Sequence, residues 1–272
     1  MCSALMQMRF QNSSIPVLLK NTPPKMQRET DMEDALKLEQ DGEIARLTID
    51  RPEKGNMLTL EMLDYLSALI IDAGCDPDIK AISLTSIGDN FCLGRDPDGA
   101  PETAPKNAVE MREALTAPIL GFYDAVRGAE IPVVATVQGQ AAGFGCAAAA
   151  VCDVTIAADD ARFSLPEMKH NLPPTAAISA HIDRSMHKSV AWMVYSTDEI
   201  DARTARDAGF VSHVVPAGEL YDRAEDVLAT ITSRNRTSLE TCKTYLSNAR
   251  LMETPQASDY AANLLALVMS SK

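Results

Sequence analysis

The sequence has few basic residues, few aromatic residues and no long apolar run. Its 272 residues include 25 Lys and Arg against 38 Asp and Glu, which gives a net charge of −13. Proteins that bind a phosphate backbone need clustered cations, so nucleic acid is not predicted as a partner. The longest weakly polar stretch, residues 135–150, is broken by glycine and polar residues. A bilayer crossing takes roughly 20 mostly apolar residues, so no membrane partner is predicted either.

Patterns for disulfides, metals and activated serines are missing as well. None of the six cysteines forms a CxxC pair, and the four histidines lack the spacing of metal ligands. No G-x-S-x-G segment marks a nucleophilic serine. Several cysteines lie in apolar surroundings, where free cysteine behaves as a small apolar residue. We therefore predict a cytoplasmic protein with reduced cysteines and no metal site.

The chain divides into three predicted parts. The leader, residues 1–33, has four basic residues and no acidic residue up to Arg28. This composition is typical of a disordered N-terminus and, as an alternative, of an organelle transit peptide. Residues 34–215 form the predicted core, and residues 216–272 form a predicted helical C-terminal region.

Apolar spacing and turn residues predict an α/β fold. Asp41-Gly42 separates two short alternating runs, which predicts a hairpin. Later segments alternate between strand and helix patterns, and after Pro173 we expect helices alone. The combination indicates a parallel-type sheet with a helical C-terminal part. The predicted strands are Leu36–Gln40, Ile44–Asp50, Ile79–Ser86, Pro132–Gln138, Val151–Ala157 and Arg162–Ser164, and the predicted helices in the core are Leu58–Ala73, Glu110–Gly128 and one that starts near Gly139.

Three segments carry the chemistry: Phe91–Asp96, Ile131–Cys146, and Cys152–Ala158 with its continuation to Glu167. The first two run from a strand into glycine-rich backbone. Such backbone can direct two free N–H groups at one point, where they would stabilise negative charge on a carbonyl oxygen. A glycine pair can also serve only to let a helix pack tightly on a sheet, and the three segments together favour the first interpretation.

These segments resemble the signature of the enoyl-CoA hydratase/isomerase family, the crotonases. The family runs F-C-A-G-A-D, then P-V-I-A-A-V-x-G-x-A-x-G-G-G-x-E, then C-D-x-x-x-A and F-x-x-P-E. Arg51-Pro52, Asn56 and Leu58 resemble its R-P-x-x-x-N-A-L segment. The resemblance covers roughly residues 36–218. It implies a crotonase (ClpP-like) spiral of ββα units, whose helical C-terminal region builds a homotrimer or a dimer of trimers.

The resemblance also implies roles for individual residues. The backbone N–H groups of Arg95 and Phe144 would form the oxyanion hole, and Glu167 would act as the general acid/base. The Arg95 side chain would contact a substrate carboxylate or a CoA phosphate, or form a local ion pair with Asp96 or Asp98. Glu167 has an alternative interpretation as a carboxylate that stabilises a helix start. The positions implied for substrate binding are Gly94, Asp96, Gly143, Gly145, Ala147 and Pro174.

One departure from the family pattern affects the reaction that can be predicted. Hydratases of this family use two glutamates 20 residues apart, and the first position is Ala147 here. Alanine cannot orient or deprotonate water, so one carboxylate remains beside the oxyanion hole. Several ionisable residues on nearby segments are candidates for the missing group, each with surface solvation as the alternative. They are Asp96, Glu110, Glu113, Tyr123 and His170.

The predicted function is hydratase/isomerase-type chemistry (lyase or isomerase) on an acyl-CoA thioester, as in fatty acid metabolism. CoA would arrive as part of the substrate, and no other cofactor is implied. The alternatives are another crotonase-fold reaction, such as thioester hydrolysis or decarboxylation, or a catalytically silent acyl-CoA-binding subunit.

Overall fold

The computed structural model describes residues 32–99 and 103–270, and the predicted leader lies almost wholly outside them. A six-stranded sheet forms the centre of the fold. Its first two strands are antiparallel and every other neighbouring pair is parallel. In spatial order the strands are β1 (Leu36–Asp41), β2 (Ile44–Ile49), β3 (Ala81–Ser86), β4 (Val133–Val137), β6 (Val154–Ala158) and β9 (His213–Val215).

A second sheet, of three strands, begins where the chain leaves the end of β4. It contains β5 (Gln140–Ala142), β7 (Arg162–Ser164) and β8 (Ile200–Asp201). Strands β5 and β7 are parallel, and β7 and β8 are antiparallel. Because β5 follows β4 after a turn at Gly139, the chain passes from one sheet to the other there.

Helices cover the sheets and form the C-terminal part. They are α1 (Leu60–Cys75), α2 (Ala108–Met111), α3 (Ala117–Gly128), α4 (Phe144–Val151), α5 (Thr175–Ser179), α6 (His187–Ser196), α7 (Ala202–Asp207), α8 (Leu220–Thr232), α9 (Arg236–Ala249) and α10 (Thr254–Ser270). A π-helical turn, Arg112–Thr116, joins α2 to α3. Within the two described ranges, no helix combines the length and the apolar character that crossing a membrane requires.

The local sequence explains the best-defined elements. Thr59 caps α1 by accepting a hydrogen bond from the Met62 N–H at 3.2 Å. Leu63, Leu66 and Ile70 then recur at helical spacing and are fully buried. Strand β4, with the sequence VVATV, is buried along its whole length, as expected for a central parallel strand. The predicted hairpin at Asp41-Gly42 is confirmed, with Leu36 opposite Ile49.

Three predictions about the elements are wrong in part. The segment after Gly139 first forms strand β5, and its helix α4 begins only at Phe144. The predicted strand Val151–Ala157 begins at Val154, because Val151 is the last residue of α4. The part after Pro173 is not helical alone, since β8 and β9 both lie there. Strand β9 extends the main sheet by pairing with β6.

Polar contacts join α9, the first of the last two helices, to the core. Lys243 is the one buried residue of α9, and α10 has none among its described residues. Arg236 at the start of α9 donates to the backbone carbonyls of Gly74, Asp76 and Ile79 near the end of α1. Large apolar side chains on and between these helices are exposed, among them Leu246, Leu251, Leu265, Leu267 and Met269. The oligomeric state remains a prediction.

Candidate active site

The candidate site lies where the segment after β3 passes between two other parts of the chain. On one side, Arg95 forms a parallel bridge with Leu58. On the other side, Cys92 forms a parallel bridge with Ala141 of β5. Residues 92–95 therefore form a short extended segment that brings the first and second sequence signatures into contact.

The backbone hydrogen bonds fix the direction of the Arg95 N–H. The Leu58 N–H donates to the Gly94 carbonyl at 3.1 Å, and the Leu58 carbonyl accepts from the Asp96 N–H at 2.8 Å. In an extended segment, the N–H groups of neighbouring residues point to opposite sides, and the Asp96 N–H points toward Leu58. The Arg95 N–H therefore points away from Leu58, toward the side on which Cys92 pairs with Ala141.

Phe144 supplies the second N–H on that side. It is the first residue of α4, and the N–H groups of a first helical turn have no acceptor within the helix. Gly143 before it has φ +52, a conformation that favours glycine. A Cβ on Gly94 would lie 4.0 Å from the Phe144 nitrogen, so the two glycine-rich segments are in contact.

Glu167 brings a carboxylate to the same place. It lies in a 3-10 turn, Pro166–His170, directly after β7. The Gly143 N–H donates to the Ser164 carbonyl at 2.9 Å, which ties this turn to the start of α4. A Cβ on Gly143 would lie 3.0 Å from the Glu167 Oε1 atom, so only glycine leaves room for the carboxylate. Two N–H donors and one carboxylate can together stabilise a developing oxyanion and move a proton at the neighbouring carbon.

The Glu167 carboxyl is poorly solvated. Its Oε2 atom is buried and has no hydrogen-bond partner among the described residues. Burial raises the pKa of Glu167 above its ordinary value, and the residue's own backbone N–H opposes this in part. A raised pKa suits a group that must both accept and return a proton near neutral pH.

The same burial predicts that Glu167→Gln stabilises the protein at neutral pH. A carboxyl whose pKa is higher in the folded state than in the unfolded state destabilises the fold once it is ionised, and this cost disappears below the unfolded pKa. We expect a gain of about 1 kcal/mol near pH 8, because glutamine removes the partly buried negative charge and keeps the shape of the side chain. Thermal unfolding of both proteins at about pH 4 and pH 8 measures it.

The matched control for this stability prediction is Glu219→Gln, at an exposed glutamate near the start of α8. Its midpoint is expected to follow the wild type at both pH values. A Glu167→Gln protein that is less stable than the wild type at the higher pH would contradict the stated cost of the carboxylate.

An aromatic cluster packs over the start of α4. The Phe144 ring stacks on the Tyr123 ring with centroids 6.2 Å apart and planes at 10°, and meets the Phe122 ring edge-on at 5.2 Å. Tyr123 is fully buried, and its hydroxyl has no partner among the described residues. Ala147, three residues after Phe144, is also fully buried and offers only a methyl group.

Residues of the R-P-x-x-x-N segment support this site, a role that the sequence did not reveal. The Asn56 side chain donates to the carbonyls of Ile87 and Asn90 at 2.9 and 2.7 Å, and so fixes the loop that leads to Cys92. Arg51 pairs with Asp96 at 3.1 Å, and Asp96 is 1% exposed. The Asp96 carboxylate is thus engaged in holding two loops together.

The local ion pair considered for Arg95 is not formed. Asp96 pairs with Arg51, and Asp98 pairs with Lys54 at 2.8 Å. The exposed Arg95 side chain has no carboxylate partner in the described part of the chain.

The other candidate residues are placed less favourably. Glu110 is exposed and accepts hydrogen bonds from the Lys106 N–H and the Asn107 side chain. Glu113 in the π-helical turn and His170 after Glu167 are also exposed. Pro174 is buried at the start of α5.

Among residues 32–99 and 103–270, no group of three or more His, Cys, Asp or Glu is placed to hold a metal ion.

Comparisons with known proteins identify the family and the fold of this chain. Residues 39–272 match the family model described as Enoyl-CoA hydratase/isomerase. A Mycobacterium bovis protein named probable enoyl-CoA hydratase echA8 is 30% identical over 213 residues, which cover 78% of this chain and 80% of that protein. The 2,3-dehydroadipyl-CoA hydratase of Escherichia coli is 31% identical over 209 residues, covering 75% and 78%. The crystal structure of an enoyl-CoA hydratase from Mycobacterium smegmatis aligns with a TM-score of 0.80 at 26% identity, covering 86% of this chain and 91% of that chain.

Proposed function

This chain belongs to the enoyl-CoA hydratase/isomerase family and has the crotonase fold, and we propose that it performs enolate chemistry on an acyl-CoA thioester with Glu167 as its general acid/base. One observation carries the proposal. The Glu167 carboxylate lies against Gly143, the residue directly before the Phe144 N–H, and Gly94, directly before the Arg95 N–H, contacts the same segment. A carbonyl oxygen held by both N–H groups would therefore place its α-carbon near the carboxylate.

The proposed mechanism uses few groups. The thioester carbonyl accepts hydrogen bonds from the N–H groups of Arg95 and Phe144, which stabilise the negative charge that develops on oxygen. Glu167 takes a proton from the α-carbon, and the electron pair moves toward the carbonyl to give an enolate. The protonated Glu167 then returns the proton to carbon. CoA takes part only as the carrier of the acyl group.

We predict that Glu167→Gln abolishes this chemistry. In deuterated water the wild type should incorporate deuterium at the α-carbon of butyryl-CoA, a saturated substrate on which enolate formation is the measured event. Loss of a positioned acid/base group lowers rates by about 10²–10⁴-fold, so exchange in the variant should fall at least about 100-fold. Mass spectrometry and NMR of the recovered thioester measure it.

Glu219→Gln is again the control, because this exposed carboxylate lies outside the candidate site. Its exchange rate should equal that of the wild type. Measurable binding of butyryl-CoA without exchange in the wild type would refute the proposal and favour the silent acyl-CoA-binding subunit. Exchange that persists in Glu167→Gln would assign the base to another residue.

A further inference from the structure

Two buried polar atoms at the candidate site have no partner among the described residues. One is the Tyr123 hydroxyl oxygen, and the other is the Glu167 Oε2 atom. Leaving a buried polar group without a hydrogen bond costs free energy, and native structures rarely do so without a reason. A hydroxyl can donate and a carboxylate can accept, so one small molecule that does both would satisfy the two atoms.

The two atoms belong to the same neighbourhood. Tyr123 is 0% exposed, and its ring stacks on Phe144 at the start of α4. Glu167 contacts Gly143, the residue directly before Phe144. Burial raises the pKa of Tyr123 and the pKa of Cys146 on α4, and the nearby charge of Glu167 adds to both. The hydroxyl and the carboxylate therefore approach the start of α4 from two different elements.

The same helix face lacks a polar side chain. Phe144 and Ala147 are three residues apart on α4 and so share one face. The Tyr123 ring packs against Phe144, one of these two residues. Its unpartnered hydroxyl is therefore a candidate for the polar group that Ala147 does not provide.

We infer that Tyr123 donates a hydrogen bond to the water molecule that Glu167 activates, and so supplies the second polar contact for addition of water to a 2-enoyl-CoA. The inference rests on the proposed function, because it needs the oxyanion hole and Glu167. It adds a catalytic residue and narrows the reaction to hydration and its reverse.

The step balances with the groups at the site. The ionised Glu167 takes a proton from water while the water oxygen forms a bond to the β-carbon. The π electrons of the C=C bond move toward the thioester carbonyl and give an enolate. The protonated Glu167 then delivers the proton to the α-carbon, which yields the 3-hydroxyacyl-CoA. The Tyr123 hydroxyl keeps its proton throughout, because it donates to one lone pair of the water and leaves the other free to attack.

The environment of Tyr123 suits a donor rather than a base. Burial raises the pKa of Tyr123 far above its ordinary value, and the nearby Cys146 and Glu167 add to the rise. The phenol therefore stays protonated over the working pH range.

The test compares Tyr123→Phe with the wild type on two substrates. Hydration of crotonyl-CoA needs the water, whereas α-proton exchange on butyryl-CoA does not. We expect kcat for hydration to fall about 100-fold with KM unchanged, as for loss of an interaction made in the transition state. Exchange on butyryl-CoA should stay within about threefold of the wild type. Because the lost hydroxyl has no protein partner and the stacked ring remains, thermal stability should not fall.

Two further variants separate the outcomes. Glu167→Gln should lose both activities, and Tyr65→Phe, at a half-buried tyrosine of α1, should lose neither. Hydration by Tyr123→Phe at the wild-type rate overturns the inference, as does an equal loss of hydration and exchange. A wild type that exchanges the α-proton but never adds water also overturns it and leaves the proposed function intact. A wild type that does neither refutes both.

Discussion

Lys243→Met is expected to lower the free energy of unfolding by about 3–5 kcal/mol, the cost of removing one partner from a buried ion pair. The Lys243 ammonium donates to the carbonyls of Val126 and Ile131, each at 2.9 Å, and to Asp153 Oδ2 at 2.8 Å. All three of its N–H groups are therefore used. Methionine would fill the space of the stem, leave the two carbonyls without this donor and leave the Asp153 charge without its counter-ion. Urea unfolding at equilibrium measures the loss.

The position of Lys243 explains why the effect should be large. Its side chain is 5% exposed, whereas that of Asp153 is 25% exposed, so water can compensate only Asp153. Asp153 also accepts from the Val133 N–H at 2.8 Å, which connects the ion pair to the first residue of β4. The pair thus ties α9 to the central sheet.

Two variants sharpen this prediction. Lys37→Met removes the exposed lysine of the Lys37–Asp50 pair on the first hairpin and should leave the midpoint close to that of the wild type. Adding Asp153→Asn to Lys243→Met removes the unpaired charge and should recover part of the loss. If Lys243→Met unfolds at the same urea concentration as Lys37→Met, the pair contributes nothing measurable.

Gly145→Ala is expected to destabilise the protein by about 3 kcal/mol or more and to lower the proposed activity about 100-fold. A Cβ at this position would lie 2.0 Å from the Cys92 carbonyl oxygen, a backbone atom that cannot rotate away. That carbonyl also accepts from the Ala142 N–H at 2.9 Å. Relief of the clash must move the start of α4 away from residues 92–95, and the Phe144 N–H would move with it.

Gly121→Ala is the matched control, since Gly121 also lies in a helix and nothing lies within 4 Å of its Cβ position. Alanine there should stabilise the protein by about 0.5–1 kcal/mol, because glycine loses more backbone freedom on folding. Thermal unfolding and α-proton exchange on butyryl-CoA would be measured for both variants. If the two variants had similar stability and similar exchange rates, the close approach of Gly145 to the Cys92 carbonyl would not be needed for either property.

The sequence predicted those parts of the fold that local signals determine. Turn residues at Asp41-Gly42 fix the first hairpin, and helical spacing of apolar residues identifies α1. Strand β9 was missed because three residues in a parallel sheet show no alternation of apolar and polar side chains. Its place beside β6 depends on tertiary contacts that propensity does not encode.

The candidate site was also predicted only in part. The segments of Arg95, Phe144 and Glu167 were recognised because each has its own short motif, and the structure brings them together. The partner of Asp96 was not predicted, since Arg51 is distant in sequence. Nor could the sequence give the burial of Tyr123, because a tyrosine on an amphipathic helix is equally compatible with an exposed hydroxyl.

The two bridges beside the site have a consequence for folding. Leu58 pairs with Arg95 and Cys92 pairs with Ala141, so the site is held by contacts between distant parts of the chain. Long-range pairings of this kind form only after large loops have closed, which makes them late events. A partly folded chain would then have no site at all. Only native molecules would contribute to the turnover that is measured for a sample. A substitution anywhere that weakens the sheet would lower the apparent kcat of a sample in proportion to its folded fraction, while the KM of the remaining molecules stayed the same.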